Sequence, residues 1–256
     1  MWILNLLYKI RLLFLYYTKN ITPKVIKYNK FELSFFDDFD GDKIDGYKWV
    51  KHFFWSDKNN KTQWASKDNF IVDKSILKIY TPTIPKHLKN KKITVSTAIL
   101  HTGETFTQKY GRYQIRCKIP NNQNISTIFW LLSSLSDFPE IDIFYFLENK
   151  NGSYKTACIY GDNDSEQLYS ISKKIAPIEK NNWIEFTLDW YPNKLIWYYN
   201  GYRVFIHKYK GIPQTPMYLL INTMVNLTNE YNNKEINTLE IDWVKIYKFK
   251  SEKFGG

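Results

Sequence analysis

The chain has 256 residues, 44% hydrophobic and 18% aromatic, and its 36 Lys and Arg against 25 Asp and Glu give a formal charge of +11. That length and apolar content suit one domain with a sizeable core, and four histidines and two cysteines with no Cys/His cluster argue against a zinc or similar transition-metal centre. The charge is spread along the chain. A basic surface attracts polyanions, but no zinc spacing, helix-turn-helix or RNP-like motif accompanies it, so nucleic acid is not expected as a partner.

At the N-terminus, Ile3, Leu6, Leu7, Ile10, Leu13, Phe14 and Tyr17 fall at helical spacing, predicting a short helix within residues 1–30. Trp2, Leu4, Leu12 and Leu15 are apolar on other faces, and Lys9 and Arg11 interrupt the run. It falls short of the roughly 20 apolar residues that a membrane span needs. Its charges sit mid-segment and Tyr-Tyr-Thr-Lys follows, unlike a signal peptide. Two readings stay open: an atypical signal or anchor helix, with membrane association through residues 1–17 and a lean towards a secreted or membrane-associated protein, or a helix lying on the membrane surface or docked on the domain.

The globular domain is predicted over residues 31–250. Short alternating runs separated by turn residues follow one another, the pattern of an all-β sandwich. The predicted strands are Ile76–Tyr80, Thr94–Leu100, Tyr110–Ile119, Thr127–Leu132, Phe138–Phe146, Tyr154–Tyr160, Trp183–Trp190, Leu195–Tyr199, Tyr202–Phe205, Pro216–Asn222 and Glu240–Tyr247. Asn200-Gly201 is a two-residue hairpin signal. The basic run Lys86–Lys92 reads as a solvated loop, with binding of an anionic or sulfated polysaccharide as the alternative. Cys117 and Cys158 lie in strand-like runs, where a lone cysteine is usually a small buried hydrophobe; a disulfide between them requires neighbouring strands.

The most informative stretch is Phe138-Pro139-Glu140-Ile141-Asp142-Ile143-Phe144-Tyr145-Phe146. Strict alternation sends Ile141 and Ile143 to one face and Glu140, Asp142 and Phe144 to the other, with the two acids about 7 Å apart along the backbone. Strand interiors disfavour acids, so two on one face beside aromatics point to a working cleft. The competing reading is a solvated strand face or an ion pair with Arg116.

This stretch resembles the active-site strand of glycoside hydrolase family 16, the laminarinases, lichenases and agarases, whose signature is E-x-D-x-E, or E-x-D-x-x-E where a β-bulge adds a residue. Other runs resemble the same family. They are Phe35-Phe36-Asp37-Asp38-Phe39-Asp40-Gly41 followed by Trp49, Tyr110-Gly111-Arg112-Tyr113-Gln114-Ile115-Arg116-Cys117-Lys118-Ile119-Pro120, Thr127-Ile128-Phe129-Trp130-Leu131-Leu132, Pro216-Met217-Tyr218-Leu219-Leu220-Ile221-Asn222, and Glu240-Ile241-Asp242-Trp243-Val244-Lys245-Ile246-Tyr247. The resemblance implies a concanavalin A-like jelly-roll β-sandwich with a groove on its concave sheet.

It also implies roles. Glu140 matches the nucleophile and Asp142 the supporting carboxylate, while the acid/base position falls on Phe144 without the bulge and on Tyr145 with it. Phe138 and Trp130 would supply aromatic surface, and Gln114, Arg116 and Asn222 hydrogen bonds. Met224 stands where the family often has tryptophan, and Asp242 matches a position that helps bind a structural calcium in some relatives. No cofactor is required. The expectation is a monomer that binds a β-linked polysaccharide, a β-glucan or galactan that carries charge in one version, with hydrolysis lost or impaired. The alternatives are an active retaining endo-β-glycosidase or transglycosylase using Glu140, and a structural or surface protein on the same sandwich.

Overall fold

The computed structural model describes residues 30–51, 63–81, 95–120, 125–135, 138–146, 154–162, 165–175, 182–208, 210–225 and 237–250. The predicted N-terminal helix and the basic run Lys86–Lys92 lie outside the described residues. Among the described residues, no helix is long and apolar enough to cross a membrane.

Fifteen strands are described: β1 (Phe31–Asp37), β2 (Gln63–Ala65), β3 (Phe70–Asp73), β4 (Ile76–Thr81), β5 (Val95–His101), β6 (Gly111–Lys118), β7 (Ile125–Ser133), β8 (Glu140–Phe146), β9 (Tyr154–Asp162), β10 (Ser165–Ile175), β11 (Ile184–Tyr191), β12 (Lys194–Tyr199), β13 (Tyr202–Lys208), β14 (Met217–Val225) and β15 (Asn237–Phe249). They form two sheets. The first runs β13-β12-β11-β6-β15-β4-β3, with β1 also on β15; the second runs β10-β9-β8-β7-β14-β5-β2. Among the described residues only the short β2–β5 pair is parallel. The result is a jelly-roll β-sandwich.

Period-two alternation assigns each side chain to the interior or to an outer face. On β6, Tyr113, Ile115 and Cys117 are interior; on β7, Phe129 and Leu131; on β14, Leu219 and Ile221, all essentially inaccessible. Each such side chain contributes roughly 1.5–3 kcal/mol by leaving water. The Asn200-Gly201 turn has φ of 46° and 79°, the left-handed conformation that a two-residue hairpin with matching twist requires. At the start of the domain, the buried Asp37 carboxylate accepts from Trp49 Nε1 at 2.6 Å and from the Phe39 amide at 3.0 Å. That pins the loop after β1 and sets Trp49 edge-on against Phe35.

The two cysteines are free and buried. They sit on β6 and β9, in different sheets, so the neighbouring strands that a disulfide requires are not present. Burial raises both thiols, Cys158 to about 12, and each behaves as a small core hydrophobe.

Candidate active site

The centre of the site is an irregularity in β8. Phe129 pairs with Phe144 but Trp130 pairs with Asp142, and on the other side Asp142 pairs with Ala157 while Tyr145 pairs with Lys155. Between Asp142 and Tyr145, β8 therefore carries one more residue than either neighbour, a β-bulge. Bulges re-aim side chains. Here the bulge turns Phe144 inward, where it is fully buried and stacks on Phe186 with ring centroids 4.2 Å apart. This corrects the strict alternation that put Phe144 beside the acids: the residue sharing their face is Tyr145. The Asp142 carbonyl at the bulge accepts from Trp197 Nε1 at 2.9 Å across the interior. Sequence reasoning missed that role of Trp197, because the bond joins strands of opposite sheets.

Registers place a set of side chains on the outer face of the second sheet. Asp142 pairs with Trp130, which pairs with Leu220; Tyr145 pairs with Ile128, which pairs with Asn222; Glu140 pairs with Leu132, which pairs with Tyr218. Residues directly opposite in a sheet share a face. Glu140, Asp142, Tyr145, Trp130 and Asn222 are thus brought together, and Trp130 Nε1 donates to Asn222 Oδ1 at 2.7 Å. Met224, 37% exposed, continues the same face two residues beyond Asn222. Phe138, partly buried, lies two residues before the start of β8. The indole is only half-buried, leaving an aromatic surface beside the acids.

Electrostatically, the two acids act on each other. They are hydrogen-bonded to each other, and burial raises both carboxyls above the ordinary range. Asp142, only 3% exposed, rises further because the charge and hydrogen bond of Glu140 favour its protonated form, whereas the same bond favours ionised Glu140 and the Lys155 ammonium favours the ionised form of both. Burial, then the negative field of the pair, raises the Tyr145 phenol above its ordinary value. Lys155 was not anticipated, since only the β8–β9 register reveals it beside Tyr145.

The raised carboxyls fix a sign. Unfolded carboxyls release their protons near pH 4; above that the folded chain binds more protons than the unfolded one, so this contribution to stability is lost as pH rises through the folded values. Asp142→Asn keeps a hydrogen-bond donor towards Glu140 and removes the titration. The variant's thermal midpoint, relative to wild type, should rise as pH increases above about 4. A difference that does not change with pH would contradict the raised Asp142 carboxyl.

Three expected site residues lie elsewhere. Gln114 and Arg116 are on β6 of the first sheet, and their neighbours Tyr113, Ile115 and Cys117 occupy the interior. Both side chains consequently face outward on the far side of the sandwich from Glu140, which corrects their assignment to the groove. Gln114 Nε2 donates to Glu185 Oε1 at 2.8 Å and Thr187 Oγ1 at 3.0 Å. Arg116 pairs with Asp242, not with Glu140 or Asp142, and lies 4.8 Å over the Trp183 ring. Asp242 sits at a bulge of β15 in that same sheet. Among the described residues no three His, Cys, Asp or Glu side chains group closely enough to hold a metal. Calcium takes six to eight oxygens, and the Asp242 carboxylate is already paired with the Arg116 guanidinium.

Comparison with known proteins places this geometry. The family model described as Glycosyl hydrolases family 16 matches residues 56–245. Endo-1,3-1,4-beta-glycanase ExsH of Rhizobium meliloti (strain 1021) is 20% identical over 226 residues, covering 80% of this chain and 48% of that protein. The corresponding enzyme EglC of the same organism is 21% identical over the same shares of each chain. The chain thus spans about half the length of these curated relatives. The laminarinase catalytic domain from Thermotoga maritima MSB8 superposes with a TM-score of 0.73 at 18% identity, over 87% of this chain and 100% of that one. The endo-beta-1,3-glucanase from Pyrococcus furiosus gives 0.74 at 18% identity, over 87% and 96%.

Proposed function

This chain belongs to glycosyl hydrolase family 16, and from that premise we propose that it binds a β-linked polysaccharide, a β-glucan or galactan, on the outer face of its second sheet without hydrolysing it at an ordinary rate. The observation that carries the reading is Tyr145, which shares a face with the Glu140–Asp142 pair through the β8 bulge. Retaining hydrolysis needs a second carboxyl about 5–5.5 Å from the nucleophile, to protonate the leaving oxygen and then to activate water. A phenol titrates near 10 where a glutamate titrates near 4.3, and burial with the neighbouring negative charge raises this one further. Tyr145 stays protonated at neutral pH. It can donate a hydrogen bond to a glycosidic oxygen but cannot take a proton from water.

Binding asks less of the site. Pyranose rings present apolar C–H faces that lie on aromatics while a few polar groups fix orientation, and Trp130 with Asn222, Glu140 and Asp142 offers both. Trp130→Ala should weaken binding of laminari-oligosaccharides by at least about tenfold, about 1.4 kcal/mol, in titration calorimetry. Unchanged affinity in the folded variant would move the site off this face.

The intact Glu140–Asp142 pair favours one second reading, an active retaining glycosidase or transglycosylase. It requires a covalent glycosyl intermediate on Glu140, trapped with a fluorinated substrate and read by mass spectrometry; the absence of an adduct counts against it.

A further inference from the structure

On β9 and β10 the outer face of the second sheet changes character. Lys155 pairs with Tyr145 on one side and with Lys174 on the other. Tyr154 and Ile175, next in sequence to each lysine, are interior, so both ammonium groups belong to the face that carries the acids. Like charges directly opposite each other in an antiparallel pair are unfavourable. On this face the Lys155 ammonium favours the ionised forms of Glu140 and Asp142. Among the described residues neither lysine makes an ion pair within 4.0 Å. Towards the other end of the same two strands the face is uncharged, with Ala157 opposite Ser172 and Ile159 opposite Ser170.

We propose that Lys155 and Lys174 form an anion-binding subsite beside Tyr145, which takes a sulfate-ester or carboxylate substituent on the polysaccharide. The proposal rests on the reading that this face binds polysaccharide, and it names the class. Successive strands lie about 4.8 Å apart, so Lys174 is roughly 10 Å from β8, within reach of a substituent on a sugar ring lying over the acids. Trp130 is on the opposite side of β8, on β7. A polymer crossing the strands would meet an aromatic platform on one flank of Glu140 and two cations on the other. Ammonium groups on flexible stems act as point charges and do not impose the planar two-point geometry of a guanidinium, which suits either anion.

The test measures affinity of the full chain for neutral laminarin, a sulfated galactan and a polyuronate, using wild type, the double variant K155Q/K174Q, and K248Q/K250Q as a control with the same loss of charge elsewhere. Wild type should bind one charged polymer at least tenfold more tightly than laminarin. A preference for the sulfated galactan assigns the anion as sulfate, and a preference for the polyuronate assigns it as carboxylate. K155Q/K174Q should bring the ratio of charged to neutral affinity close to one, and the control should leave it unchanged. A ratio that survives in K155Q/K174Q, or collapses equally in the control, overturns the subsite in favour of general surface charge. A wild-type ratio near one with laminarin still bound overturns the subsite and leaves the broader reading standing. Failure to bind any of the three polymers overturns both.

Discussion

Tyr145→Glu should convert this chain into a hydrolase, releasing reducing ends from laminarin or lichenan at least about 100-fold faster than wild type, the lower end of what a positioned general acid contributes. The expectation follows from the β8 bulge. It sends position 145 to the face of Glu140 and Asp142 and sends Phe144 into the core. A carboxyl at that position would meet the same burial and the same negative neighbours that raise the tyrosine, and those effects favour the protonated form a general acid needs. Adding Glu140→Gln to this variant should abolish the gain. A folded Tyr145→Glu variant inert on every β-glucan and galactan would mean that the sugar-binding face, and not only the proton donor, has diverged.

The largest stability effect should come from the first sheet. Arg112 and Asp189, paired across β6 and β11, make a two-pronged contact with Nε at 2.6 Å from Oδ1 and Nη2 at 2.8 Å from Oδ2. Both side chains are only 3% exposed although they project from the outer face. The guanidinium also lies 4.6 Å over the Phe31 ring, which stacks on Phe249. Removing one member of such a pair leaves a buried charge without its counter-charge, which typically costs 3–5 kcal/mol. Asp189→Ala should therefore lower unfolding free energy by about 3–5 kcal/mol in urea titration, while the double variant R112M/D189L recovers most of it. A single-variant loss below about 1 kcal/mol would mean that water reaches the pair, as in an exposed ion pair.

Much of this protein was legible in its sequence, because strand alternation and turn chemistry are local. The run Gly111–Lys118 alternates so clearly that its inward residues can be read directly, and Asn200-Gly201 marks its hairpin without help. What escaped depends on which strands become neighbours. Nothing local to Gln114 or Arg116 says whether the outward face of β6 lies on the same side of the sandwich as Glu140, and the two sheets turn those faces in opposite directions. The choice between Phe144 and Tyr145 likewise depended on a bulge, which appears only when β8 is matched against β7 and β9. Lys155 and Lys174 became a pair, and Trp197 a support for the Asp142 carbonyl, through pairings and packing across strands distant in sequence.

The account is tested most directly by wild-type turnover. Purified chain incubated with laminarin and lichenan across pH 4 to pH 8 should release no more reducing ends than Glu140→Gln under the same conditions, while oligosaccharides still bind with Trp130 in place. Steady release by wild type that disappears in Glu140→Gln would contradict it, because a working proton donor would then have to stand opposite the Glu140–Asp142 pair.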